Sequence, residues 1–133
     1  MRRLALLTAL ASLLLAHASC LLVAGAGAGY VISRQIDDEQ DVARVSLDID
    51  RTWTSVQTTM QVLQDVDGDY AVKEFPRSVV ATVDGCTVTV EVEAYDLDVS
   101  LIRVYAEKFK FQQRDTQDFV MTEILDDMDE NAT

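Results

Sequence analysis

Three side chains could supply nucleophilic or soft-metal chemistry in this sequence: Cys20, Cys86 and the single histidine, His17. His17 sits in MRRLALLTALASLLLAHASC, a stretch built like an export signal, so a processed chain would contain no histidine. That excludes Ser-His-Asp and Cys-His catalysis and any zinc site built on imidazole. Cys86 falls in phase with Val88, Val90 and Val92 along a strand, which makes it a small core residue and not a reactive thiol. No Walker loop is present. The glycines of GAGAG precede the first strand instead of following one, so they form no dinucleotide fingerprint.

Carboxylates are the remaining candidates, and DVDGDY gathers three of them. Asp65, Asp67 and Asp69 have the i, i+2, i+4 spacing of the first ligands of a calcium loop. Tyr70, however, stands where such a loop needs its invariant glycine, and Pro76 where it needs a bidentate glutamate. A helix-ending turn is expected there, without a metal. The other acids are too numerous for one pair to stand out for general acid/base work, so no catalytic residue and no cofactor is assigned. A non-enzymatic protein is the expectation, with a carboxylate-only enzyme as the alternative.

Cys20 is different, because its setting is a targeting device. Arg2 and Arg3 form a positive n-region, Leu4 to Ala16 an apolar h-region, and small residues follow. Three outcomes are open. Ala16-His17-Ala18 has the A-x-A form of an ordinary cleavage site, releasing a chain that starts at Ser19. Leu4 to Ala24 is long enough to span hydrocarbon uncleaved, since about 20 apolar residues suffice. Ala18-Ser19-Cys20 ends like a bacterial lipobox, in which the cysteine is acylated and becomes the first residue. His17 departs from the leucine usual three places before that cysteine. After Cys20, LLVAGAGAGY is too short and glycine-rich for a core helix and reads as a tether.

Charge narrows the partners. The chain carries 23 acids against 11 bases, a formal net charge of −12. No basic stripe interrupts that excess, which disfavours nucleic acid and simple adhesion to anionic headgroups. Lipidation of Cys20 would leave Cys86 unpaired, consistent with a fold that needs no disulfide.

The elements that must carry these residues follow from periodicity. VARVSL (42–47) alternates so that Ala43, Val45 and Leu47 share a face. Asp48 then caps a helix with Ile49, Trp53, Val56, Met60 and Leu63 on its apolar side. A strand YAVKEF is stopped by Pro76. SVVATV-DG-CTVTVEVEAY is a hairpin on the two-residue Asp84-Gly85 loop, pairing Val83 with Cys86, Ala81 with Val88 and Val79 with Val90. VSLIRVYAEKFKF reads as one long strand. Ile102, Val104 and Ala106 lie on one face and Leu101, Tyr105, Phe109 and Phe111 on the other, which calls for cover by another element or a partner. A last helix from Asp115 presents Met121, Ile124, Leu125 and Met128. The fold class expected is α+β: a single antiparallel sheet of about five strands with two helices on one face, in the order β-α-β-β-β-β-α.

Cys20 followed by LLVAGAGAGYV, a strand, LDIDRTW opening a helix, DGCTVTVEV and LIRV together resemble the domain-of-unknown-function 3568 family of small bacterial envelope lipoproteins. Around IDDEQD the first strand region runs several residues longer than the family's. The resemblance implies a lipidated cysteine at Cys20 and no known activity. Likeness to other envelope lipoprotein domains implies a helix-grip arrangement. The expected organisation is a signal peptide over 1–19, a lipidated N-terminus and tether over 20–35, an α+β domain over 36–130, and a tail over 131–133. The expected protein is anchored in a membrane by lipid, faces the periplasm, and binds or supports an envelope partner. Secretion or a retained N-terminal span are the alternatives.

Overall fold

The computed structural model describes residues 30–36 and 39–131. Seven strands and two helices follow in order. They are β1 (Val31–Ile36), β2 (Asp41–Val45), α1 (Ile49–Leu63), β3 (Tyr70–Glu74), β4 (Arg77–Val83), β5 (Cys86–Asp96), β6 (Val99–Lys108), β7 (Phe111–Gln112) and α2 (Arg114–Glu130). One open antiparallel sheet runs β1-β2-β6-β5-β4-β3, with β7 paired to β6. Both helices pack on one face: α1 against β4 and β5, α2 against β6 and β2, and each against the other. The α+β architecture expected from periodicity is therefore present, with two more strands than expected.

Each extra strand has a local cause. All of β1 but its last residue, Ile36, lies inside the segment 20–35 expected to be a tether. Sheet pairing begins at Val31, which opposes Val45, and a bulge then shifts the register before Ser33 opposes Arg44. IDDEQD is thus the connection between two antiparallel strands and not an overlong single one. β7 arises because the long strand expected through Phe111 turns at Phe109-Lys110, both at positive φ (53 and 67). Nothing in the alternation announces that turn, since neither residue favours the left-handed region.

The remaining elements match their sequence signals. Asp48 accepts hydrogen bonds from the backbone N–H of Asp50 and Arg51, both at 3.0 Å, satisfying two donors that a helix start leaves open. Trp53 lies 5% exposed and donates from Nε1 to Glu74 at 3.1 Å, tying α1 to the edge strand β3. The β4–β5 hairpin has the expected register, Val83 with Cys86 through Val79 with Val90. Its turn residues Asp84 and Gly85 have φ of 51 and 69, the values that a two-residue loop following the sheet twist needs. Inward residues of β2, β4, β5 and β6 meet Trp53, Val56, Met60, Val120, Met121, Ile124 and Met128 in one core. All the buried apolar residues lie between Ala43 and Met128, so the described body carries its own core.

Candidate functional site

Cys20 and His17 lie outside the described residues, as do the three possible cleavage or anchoring junctions. Among the described residues no helix is long and apolar enough to cross a membrane.

Cys86 is 4% exposed and packs in the core, its Sγ 3.6 Å from the Thr116 hydroxyl. The hydrogen-bond contacts of its Sγ are the Thr116 hydroxyl and the Asp84 carbonyl oxygen. DVDGDY has a structural task. Both carboxylate oxygens of Asp65 accept backbone hydrogen bonds from the opposite turn, Oδ1 from Asp84 N at 3.1 Å and Oδ2 from Gly85 N at 2.9 Å. Asp65 N donates to Thr82 O at 2.8 Å, and Thr82 N donates to Asp69 O at 2.9 Å. Gly68 is pressed so close that a Cβ there would meet the Thr82 Cβ at 2.7 Å. The acidic loop thus clasps the hairpin turn, with Asp65 directed at backbone N–H groups.

Asp41, 1% exposed, is the only acid among the described residues that is buried. It is held by the Arg34 guanidinium, whose Nε lies 3.1 Å from both carboxylate oxygens and whose Nη2 also contacts Asp118 at 2.6 Å. Burial alone would lower the Arg34 pKa, but the hydrogen bonds and charges of Asp41 and Asp118 outweigh it and move it upward. This cluster joins β1, β2 and α2. A pair of buried, convergent carboxylates, which an acid/base enzyme would require, does not form among the described residues.

Among the described residues, the face of the sheet opposite the helices carries a polar depression. Outward positions of β5 and β6 come into register as Thr89 with Tyr105 and Glu91 with Arg103. Glu39 and Gln40 approach from ahead of β2, and Lys110 and Gln112 from the β6–β7 turn, closing a depression of about 570 Å³. That is within the range of small-ligand sites. Arg103 is steadied by Glu93, Nη1 to Oε2 at 2.6 Å. The Tyr105 hydroxyl donates to Glu107 at 3.1 Å; this bond raises its pKa, with slight burial and the charges of Glu107 and Glu39 adding to the effect. The phenol hydroxyl is thereby tied to Glu107, and Tyr105 lines the depression. Beyond the rim, Arg44 lies over the Tyr95 ring, 4.1 Å from its centroid. Phe109 and Phe111, expected to need cover, are 85% and 73% exposed at the tip beside this rim.

The sequence marks Tyr105, with Phe109 and Phe111, as part of an outward apolar row, and the hairpin register puts Thr89 on the outward face. Glu91 and Arg103 were detectable in principle, as outward positions of two strands whose register could be counted. Lys110 and Gln112 were not, because their place depends on the unannounced turn.

Fold and site together define a small α+β domain whose sheet has helices on one face and, among the described residues, no helix on the other, where the polar depression lies. No protein-family model matches the sequence, and no curated protein is significantly similar to it.

Proposed function

We propose that this is a lipid-anchored protein of a bacterial cell envelope, held by acylated Cys20, whose α+β body has a non-enzymatic binding role. The observation that carries the reading is the order of residues at the N-terminus. Arg2 and Arg3, an apolar run, Ala18-Ser19-Cys20 and then a glycine- and alanine-rich stretch follow one another in the order of a lipoprotein signal, with His17 in the place where leucine is usual. The resemblance to the domain-of-unknown-function 3568 family supports the same reading. The body supports binding over catalysis: among the described residues its one buried carboxylate, Asp41, is paired with Arg34, and Cys86 faces the core. An anchored protein with a polar depression on the sheet face opposite its helices is suited to holding something at the membrane surface.

Metabolic labelling with a fatty-acid analogue in a bacterial host tests the anchor. The wild type should be labelled and Cys20→Ala should not, with mass spectrometry placing the mature N-terminus at a modified Cys20. One acyl chain binds membranes only marginally, so the modification should carry several. Equal labelling of both forms, or a mature chain starting at Ser19, would refute the proposal.

A further inference from the structure

We infer that the depression on the sheet face opposite the helices is a binding site for a neutral saccharide. This deepens the binding role proposed above and rests on it. The inference begins with charge. Two acids, Glu39 and Glu91, and two bases, Arg103 and Lys110, line the depression, with Glu93 and Glu107 standing beside Arg103 and Tyr105, so charges of both signs meet there. An anionic ligand would meet two carboxylates and a cationic one would meet two bases. A neutral ligand dense in hydroxyls meets neither penalty.

The groups present also suit hydroxyls in kind. Carboxylate, guanidinium and primary amide are planar, and each can address two neighbouring hydroxyls at once. Here they are Glu91, Arg103, Gln40 and Gln112, beside the Thr89 hydroxyl and the Lys110 ammonium, which has no ion-pair partner among the described residues. Tyr105, 37% exposed, offers a ring against which the C–H face of a sugar can stack while its hydroxyl stays tied to Glu107. A lipid chain would find no apolar depth here beyond that ring. An extended peptide has no free backbone to pair with, because β5 and β6 are interior strands of the sheet.

The test is an NMR titration of the full ¹⁵N-labelled chain in micelles of a sugar-free detergent. The probes are maltotriose and tri-N-acetylchitotriose, with trigalacturonate as the anionic comparison. A neutral trisaccharide should shift the amides of Thr89, Glu91, Arg103, Tyr105 and Gln112, with a dissociation constant on the order of 1 mM for so open a site. Tyr105→Ala and Arg103→Met should each weaken it by about tenfold or more while leaving the rest of the spectrum in place. Thr58→Ala, between the helices, should change nothing. No shift with either neutral sugar, shifts confined to another face, or binding of trigalacturonate alone would overturn the inference. Because lipid labelling of Cys20 is read separately, a labelled chain that ignores sugars would end this inference and leave the anchored reading standing.

Discussion

Asp65 shows how one residue can carry the spacing of a metal ligand and serve folding instead. Its two carboxylate oxygens accept from two backbone donors of a turn nineteen and twenty residues away. Those donors belong to a two-residue loop, where strand pairing leaves them open. Asp65→Ala should therefore cost about 1–3 kcal/mol in urea denaturation, and Asp65→Asn less, since the amide keeps one acceptor. An unchanged midpoint in Asp65→Ala would show that water replaces the clasp at no cost. A second residue gives a pH signature. Burial raises the Tyr70 pKa above the usual 10.0, partly offset by a hydrogen bond with Gln61. Below pH 10 the phenol is neutral folded or unfolded, so its contribution is fully present. Above it the unfolded chain ionises first, and stability falls as pH rises through the higher folded value. Melting curves at successive pH values above 9 should show a shallower decline in Tyr70→Phe than in the wild type. Parallel declines would mean that other groups account for all of it.

At the scale of elements, the β4–β5 hairpin was legible because turn chemistry and alternation demand the same register. Val88 is fully buried and should lose about 1–3 kcal/mol on truncation to Ala, through lost burial and a residual cavity. Thr87, exposed on the other face, should tolerate Ala with a much smaller loss, and the reverse order would put the core face on the wrong side. Two other elements were not legible, for opposite reasons. β1 follows directly on a glycine- and alanine-rich run, so its start has no boundary signal, and its only partner in the sheet is β2. β7 hides behind alternation that continues through Phe109-Lys110 although the backbone reverses there. The depression inherits both gaps, since it forms where the approach to β2 meets the β6–β7 turn. Arg34 is what secures β1. Replacing it with Met would leave Asp41 buried and unpaired, a loss of about 3–5 kcal/mol. Arg34→Met with Asp41→Leu should recover much of that, because the cost is an uncompensated charge and not a missing contact. A double variant no more stable than Arg34→Met alone would disprove this account.

Across the whole molecule, the excess of acid acts on stability as well as on partners. With 23 acids in the chain, like charges repel in the compact state and are relieved by screening. The Debye length falls from about 30 Å at 0.01 M salt to about 3 Å at 1 M, so the melting temperature should rise with sodium chloride. The effect has a focus. Asp126, Asp127, Asp129 and Glu130 crowd the C-terminal end of α2, and its last turn contains no base. Helix dipoles place partial negative charge at that end, so these acids oppose it. Asn131 closes the helix through its own backbone and side chain, both donating to the Asp127 carbonyl, and brings no positive charge to that end. The paired charges elsewhere behave differently: Arg34 with Asp41 is buried and poorly screened, so salt should not weaken it in proportion. Asp129→Lys should thus stabilise the protein by about 0.3–1 kcal/mol at low salt, with the gain shrinking toward zero at 1 M. A neutral result at both salt concentrations would mean that the last turn of α2 contributes nothing to the folded state. A gain that persisted at high salt would assign the effect to helix propensity or packing, and not to charge.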